Sequence, residues 1–405
     1  MRLPASISEL PQLIKQADNA VVAPDLAADG SSSFYTIDIS KWAEFNVSKK
    51  HLTLCLVTLH RVVRKYGDVA HNQALYHYHQ ACAAEILSRK IQTSVQMEPN
   101  LELFEDVSLF FFSQIQASAY GAWKAHLSAA KTLFNLWGVE VLMGNVDYEF
   151  FLCHLVLADV FGTSMATTTH ISAADVSQHK TYLELLGRFS VDVCSTMVPI
   201  PEAIVRATAA MNITRAAGSV SSLQTVTTEQ HPPLSISSIF ESLQSFDPAE
   251  WATHRPRHTY SQAPSWTLLA TCFQSATILY FIHCSEMDIS GVDEDLVLYH
   301  HTQLKNAVCD LYDLKKHGGV LYKYILWPMV VNGVEAVMLN DEEHLRFLCE
   351  LLEQTTIDLG TLSMREASIF LEELWVNNKR RTAERSNELP LDWDTIFVRA
   401  PLFLM

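Results

Sequence analysis

The order of hydrophobic and polar residues along the chain predicts long amphipathic helices. The segment from 120 to 138 shows it best, because its large apolar residues follow one another at steps of four, three, four and three: Trp123, Leu127, Ala130, Phe134 and Trp137. These steps keep the side chains on one stripe of an α-helix. An aromatic stripe at this spacing is typical of a buried face, so we interpret the segment as a packing helix.

The same spacing recurs through most of the chain. A first helix carries Leu52, Leu56, Leu59, Val63 and Tyr66, and a second, from about 71 to 91, carries Leu75, Tyr78, Cys82 and Ile86. Further helices are predicted at about 107–117, 148–162, 174–196, 201–216, 266–284, 292–316, 321–338, 341–359 and 364–380. No alternation of strands and helices is visible, so the predicted fold class is all-α, with stacked helical hairpins in one large helical domain.

Composition shifts divide this pattern at two places. Residues 1–40 form a polar N-terminal arm, and residues 41–405 form the helical domain. Within that domain, residues 217–265 are rich in Ser, Thr, Pro and Gln, which predicts a long loop with one short helix near 238–245.

The overall composition is that of a globular protein with an acidic surface. Hydrophobic residues make up 49 % of the chain and charged residues 18 %, and the formal net charge is −16. Such a surface repels phosphate, and the basic clusters are short, so we do not expect direct DNA binding. The N-terminus lacks the apolar core of a signal peptide, which predicts an intracellular protein of the nucleus or cytoplasm. The segment 266–284 has the length of a membrane span, but Gln274 and Ser275 interrupt it, so we predict a buried central helix and no membrane partner.

The chemistry-bearing residues form no familiar motif. The eight cysteines are scattered with no CxxC pair, which favours reduced core residues over a metal site. GxSxG, P-loop and GxGxxG patterns and an HExxH pair are lacking from the sequence, so conventional hydrolases, kinases and nucleotide-dependent oxidoreductases have no support. We therefore predict neither a metal nor a cofactor.

A ligand pocket between helices is the remaining kind of site that this sequence could build. The candidate residues are polar or aromatic and lie on or beside apolar helical faces: Trp123, His126, His154, Asp159, Tyr280, His283 and Trp327. Each has a structural alternative, because a buried histidine or aspartate more often holds a neighbouring helix by hydrogen bonds than binds a ligand.

Several segments resemble the helical region of the fungal-specific transcription factor family. Those segments are ALYHYHQACAAEIL (74–87), YGAWKAHLSAAKTL (120–133), LVLADVFGTSM (155–165), VPIPEAIVRATAAM (198–211), ATILYFIHC (276–284), LWPMVVNGVEA (326–336), LG (359–360) and LEELW (371–375). Their order is maintained across roughly residues 50 to 376. Members of this family usually carry six clustered cysteines that bind two zinc ions near the N-terminus, whereas residues 1–50 here contain no cysteine.

The resemblance and the departure together leave three hypotheses. The preferred one is a transcription factor-like regulator without its own DNA-binding domain, which binds a small apolar metabolite or a protein partner. The alternative is a cofactor-independent enzyme of secondary metabolism that catalyses a cyclisation, an isomerisation or a Diels-Alder-type cycloaddition, since such reactions require mainly orientation in an apolar pocket. The third is a protein-interaction scaffold made of helical hairpins.

Overall fold

The computed structural model describes residues 44–94, 99–121, 123–143, 146–189, 200–220, 236–255, 263–284, 294–317, 321–383, 391–399 and 401. Across these residues it has sixteen α-helices and no β-strand, which confirms the predicted fold class. The helices are α1 Val47–Val63, α2 Val69–Ser94, α3 Leu101–Ala117, α4 Trp123–Trp137, α5 Val139–Leu142, α6 Val146–Ser164, α7 Ala173–Leu186, α8 Glu202–Val220, α9 Ile236–Ser245, α10 Pro248–Thr253, α11 Ala263–Cys284, α12 Glu294–Asp313, α13 Leu326–Met338, α14 Glu342–Leu359, α15 Leu362–Ala383 and α16 Trp393–Ile396. The predicted arm 1–40 lies outside the described residues.

Two sequence predictions differ from the structure in their details. The helix predicted at 174–196 ends at Leu186, where Gly187 caps it. The segment predicted as a loop with one short helix contains both α9 and α10 in its described part. α10 begins because the Asp247 side chain accepts hydrogen bonds from the backbone N–H groups of Ala249 and Glu250, at 2.8 and 3.1 Å.

The contacts divide the chain into two compact units. Unit 1 comprises Met1–Leu155 and Leu351–Glu366, and unit 2 comprises Val156–Glu350 and Ala367–Met405. The divisions fall within α6, α14 and α15, so three helices contribute residues to both units.

Unit 1 is built around α1, which packs against α2 and α3. Cys55, Leu59, Val63 and Tyr76 form one buried cluster of its core. The exposed side of α2 differs from the prediction, because Tyr78 is 43 % exposed whereas Tyr76 is buried. Each of the two tyrosines lies at a helical spacing from other apolar residues of α2, and packing against α1 buries the face that carries Tyr76.

The stripe on α4 lies inside unit 1 as the sequence predicts. All five of its residues are buried, with exposures of 8 % or less. The ring of Trp137 lies 5.9 Å from that of Phe104 on α3, between ring centroids. α4 ends at a glycine, Gly138, whose φ of +81° suits a residue without a Cβ.

Unit 2 is built around α11, which packs against α8, α10, α12 and α13. Its central side chains, among them Leu269, Phe273 and Leu279, are 0 % exposed. The stretch Pro264–Cys284 is long and apolar enough to cross a membrane by length and composition, and 61 % of its most apolar 18 residues are buried. Such burial is typical of the core helix of a globular domain, which is what the sequence predicts for this segment.

Candidate functional site

Three of the predicted site residues lie in unit 1. Trp123 is buried in α4 at 4 % exposure. The ring of His126 meets the ring of Phe110 edge to face, with centroids 4.7 Å apart, and burial lowers its pKa. His154 on α6 contacts the ring of Phe112, also edge to face, at 5.8 Å. His126 and His154 therefore take part in the aromatic packing of unit 1, and Trp123 is part of its buried core.

Asp159 lies in unit 2, on the part of α6 that belongs to this unit. It accepts a hydrogen bond of 3.0 Å from the hydroxyl of Tyr182 on α7, and the Nε2 atom of His179 lies 3.9 Å from its carboxylate. All three side chains are buried. Asp159 thus joins α6 to α7, and a hydrogen bond that holds a neighbouring helix is the predicted structural alternative to ligand binding.

The structure brings the other three predicted residues together in unit 2. The ring centroid of Tyr280 lies 6.5 Å from that of Trp327, and both side chains are 0 % exposed. Trp327 stacks on Phe273 at 6.0 Å with an interplanar angle of 10°. Tyr280 and His283 both contact the ring of Trp393, at 5.3 and 6.2 Å. The indole of Trp393 therefore contacts both Tyr280 and His283 and connects these two predicted residues.

A buried arginine organises the polar side of this region. The guanidinium of Arg215 on α8 donates through Nη1 to the backbone oxygen of Ser164, at 3.2 Å, and to the hydroxyl of Tyr280, at 3.0 Å. Through Nη2 it donates to the backbone oxygen of Ala166, at 2.8 Å, and to the carboxylate of Asp394, at 2.6 Å. We call Ser164, Asn212, Arg215, Tyr280, Trp393 and Asp394 the Arg215 cluster.

The charge balance of the cluster follows from these contacts. Burial by itself would lower the pKa of Arg215, but the neighbouring Tyr280, Cys284 and Asp394 outweigh it and the pKa is raised. Burial would also raise the pKa of Asp394, but hydrogen bonds from Thr168 and the charge of Arg215 outweigh that effect, and the pKa is lowered. Arg215 and Asp394 are therefore both charged at neutral pH.

Tyr280 stays neutral and joins α11 to α8 through two residues, Arg215 and Asn212. Burial is the main cause that raises its pKa, so the hydroxyl keeps its proton. That hydroxyl donates to the side-chain oxygen of Asn212 at 2.6 Å, and the amide of Asn212 donates to the backbone oxygen of Val160 at 2.8 Å. The phenol thus accepts one hydrogen bond and donates another, which satisfies both of its roles.

The short helix α16 closes the cluster from one side. Its N-cap, Asp392, accepts a hydrogen bond from the backbone N–H of Thr395 at 2.6 Å. Trp393 is 2 % exposed, and its indole N–H donates to the backbone oxygen of Ser164 at 2.7 Å. Asp394 accepts hydrogen bonds from Thr168, of which the one from the backbone N–H measures 3.0 Å. α16 is therefore fixed by one ring and one carboxylate on successive residues.

A histidine–glutamate pair lies beside the cluster. His283 on α11 contacts the carboxylate of Glu335 on α13, and Glu335 is 1 % exposed. Cys284 follows His283, and burial raises the pKa of its thiol, which keeps the sulfur protonated and weakly nucleophilic. Among the described residues, no group of three or more His, Cys, Asp or Glu side chains is arranged to hold a metal ion.

The comparison with protein families decides what kind of domain this is. The model of the fungal specific transcription factor domain matches residues 48–405. The chain belongs to this family. The fungal transcription factor domain therefore contains the whole of the Arg215 cluster and all seven residues predicted from the sequence.

Part of this chain is similar to a transcriptional regulator. Over 178 residues this fungal transcription factor domain is 27 % identical to the phomenoic acid biosynthesis cluster-specific transcriptional regulator of Leptosphaeria maculans. The match covers 44 % of this chain and 31 % of the relative, so the chain spans about a third of that protein's length. No solved structure matches the chain.

Of the six residues in the Arg215 cluster of this fungal transcription factor domain, the sequence pointed to Tyr280 alone. Arg215 stands among alanines in NITRAAG, and Trp393 and Asp394 stand in a short polar stretch near the C-terminus. Neither stretch resembles a binding motif. The available signal was compositional: an arginine on an otherwise apolar helical face must find a partner when it is buried.

Proposed function

We propose that this chain is the regulatory region of a fungal transcriptional regulator that controls the genes of a biosynthetic pathway. The observation that carries the proposal is the family match over residues 48–405. The similarity to a cluster-specific regulator supports the biosynthetic setting. A regulator of this family acts in the nucleus, and the nucleus is the localisation that we propose.

We further propose that this region responds to a small apolar metabolite rather than to DNA. The net charge of −16 disfavours contact with a phosphate backbone. The aromatic residues of unit 2, with Tyr280, His283 and Trp327 near a buried cation, have the composition of sites that bind small molecules. In this proposal, metabolite binding changes the surface that the region presents to other proteins.

The test is a deletion of the gene in its source fungus, with the transcripts of neighbouring biosynthetic genes and the small-molecule profile measured in the same cultures. A regulator predicts that a set of transcripts falls together and that their product disappears. Steady transcripts with accumulation of one intermediate would contradict the regulator and support an enzyme that acts on that intermediate.

Complementation makes the experiment specific to unit 2. An Arg215→Gln chain, which leaves the Asp394 carboxylate without its cation, should fail to restore the transcripts. Its amount in the cell is measured alongside, because the loss of a buried cation also destabilises the fold. An Asp310→Asn chain is the matched control, because Asp310 is exposed on α12 and takes no part in the Arg215 cluster. Equal restoration by both chains would show that regulation does not pass through the cluster.

A further inference from the structure

The guanidinium of Arg215 is held in place by groups that do not belong to α16. Three of its four hydrogen-bond partners are the backbone oxygens of Ser164 and Ala166 and the hydroxyl of Tyr280. These three are neutral oxygens that come from α6, from the residues directly after it and from α11. The guanidinium is therefore held in a fixed orientation, and a carboxylate is the group that completes its set of hydrogen-bond partners.

Asp394, the carboxylate that completes this set of partners, is much more exposed to solvent than Arg215. The side chain of Arg215 is 2 % exposed, whereas that of Asp394 is 36 % exposed. Asp394 is thus a peripheral anion on a buried cation. A buried arginine must retain an anionic partner, because an uncompensated charge in the interior is costly, but that partner need not come from this chain.

The residue before Asp394 places an aromatic ring beside the carboxylate. Trp393 packs on Tyr280 and lies parallel to the ring of His283, with an interplanar angle of 10°. Its indole N–H donates to the backbone oxygen of Ser164, which also accepts from Arg215. Two successive residues of α16 thus present an apolar ring and a negative charge to one surface of unit 2.

α16 is too short to exist without this surface. A helix of four residues is not stable in isolation, since helix nucleation is unfavourable and most helical stability comes from tertiary packing. The contacts of Trp393 and Asp394 are therefore formed together or lost together. A molecule that occupied their positions would bind only as α16 left, so its binding and the release of α16 are thermodynamically linked.

We propose that unit 2 carries a binding site for a small carboxylic acid with an aromatic or apolar body, and that α16 is the internal occupant of this site. The ligand's carboxylate takes the place of Asp394 on Arg215, and its body takes the place of Trp393 against Tyr280 and His283. The inference rests on the proposed function. It adds a carboxylate group to the apolar metabolite proposed there, and it names α16 as the regulated element.

The test uses the purified full chain and indole-3-propionate, a probe with an indole ring and a carboxylate. Its uncharged amide is the control ligand. Calorimetry should detect binding of the acid and at least tenfold weaker binding of the amide. Hydrogen exchange of Trp393–Ile396 should become faster in the presence of the acid, because α16 is released.

Two variants locate the binding site. Asp394→Asn should bind the acid at least tenfold more tightly than the wild-type chain, because the competing charge is gone, whereas Asp310→Asn should bind it as the wild type does. Arg215→Lys, which keeps the charge and loses the paired donors, should weaken binding at least tenfold. If Arg215→Lys does not fold, the comparison between the two asparagine variants decides.

Each remaining outcome would overturn the inference. These outcomes are equal affinity of Asp394→Asn and Asp310→Asn for the acid, equal affinity for acid and amide, and binding without faster exchange in α16. Transcript measurements are independent of this assay. If the acid does not bind but the transcripts depend on the protein, the binding site alone is refuted. If the acid binds but the transcripts are unchanged by deletion of the gene, the proposed function alone is refuted.

Discussion

The imidazole of His60 occupies the space that a side chain at Gly360 would need. A Cβ atom at position 360 would lie 1.7 Å from Cδ2 of His60, and Gly360 also has φ of +68°. Both residues belong to unit 1. The LG pair at 359–360, one of the segments that resemble the family, thus has two physical reasons to contain glycine: its backbone conformation and the absence of a side chain.

Gly360→Ala should therefore be strongly destabilising. Gly138→Ala is the matched control, since Gly138 has φ of +81° but no atom within 4 Å of the position that a Cβ would take. The control should lose about 1 to 2 kcal/mol of unfolding free energy from backbone strain alone. Gly360→Ala should lose about 1 to 3 kcal/mol more, because a packed side chain must move. Denaturant titration of both variants measures the difference, and equal losses would contradict the steric argument.

Gly333 gives a second steric prediction, in unit 2. A Cβ at Gly333 would lie 2.4 Å from Cδ1 of Leu371, which is fully buried on α15. Gly333→Ala should lower the unfolding free energy by about 1 to 3 kcal/mol through overpacking. In a Leu371→Ala background the same substitution should cost much less, because the clashing atoms are absent. Equal costs in the two backgrounds of this double-mutant cycle would refute the contact.

Tyr280→Phe should destabilise the chain through unpaired polar groups. The change leaves the side-chain oxygen of Asn212 and one N–H of Arg215 without the hydroxyl that now satisfies them. The expected loss is about 1 to 3 kcal/mol of unfolding free energy. Tyr299→Phe is the control, because Tyr299 is 55 % exposed, and it should change stability little. A loss no larger than that of the control would show that the hydroxyl contributes nothing to the cluster.

Acidification should destabilise the protein through its buried histidines. Burial is the main cause that lowers the pKa of His60, His79, His300 and His344 from 6.5 to about 4. The unfolded chain therefore binds protons more readily than the folded chain between these values. This contribution to stability is complete above pH 6.5 and is lost as the pH falls towards 4. Each histidine contributes a loss of about 1.4 kcal/mol of unfolding free energy for each unit of difference between its pKa in the unfolded and in the folded chain.

His79 offers a way to check the origin of this pH dependence. Its Nδ1 atom lies 2.9 Å from Nδ1 of His51, so His79→Asn keeps a polar atom near that position while it removes a titrating group. The variant should show a shallower loss of stability from pH 6.5 to 4. His71→Asn, at an exposed position on the same helix, should leave the slope as in the wild type. Parallel slopes for all three proteins would contradict the assignment.

Local patterns were sufficient to predict most of the helices because side chains four and three residues apart share a helical face in any fold. The stripe from Trp123 to Trp137 shows this, since all five of its residues are buried. The choice between two adjacent faces was harder. On α2 both Tyr76 and Tyr78 have helical spacing, and contact with α1 buries Tyr76 and leaves Tyr78 exposed.

Tertiary packing also separates the candidate site residues into two groups. Tyr280, His283 and Trp327 could be nominated because they are polar or aromatic residues on apolar faces, and they lie together in unit 2. Trp123, His126 and His154 have the same local pattern, yet they pack in unit 1. A pattern of neighbours along one helix records which face is apolar but not which helix will meet that face.

The sequence by itself determined the all-α class, most helix positions and the family, because each depends on residues close together in the chain or in a fixed order. The tertiary structure decided which charges meet. Arg215 and Asp394 are separated by 179 positions, and no local property of either residue specifies the other. Their pairing follows from the burial of the arginine, since a cation inside unit 2 requires an anion and the packing of α16 supplies one.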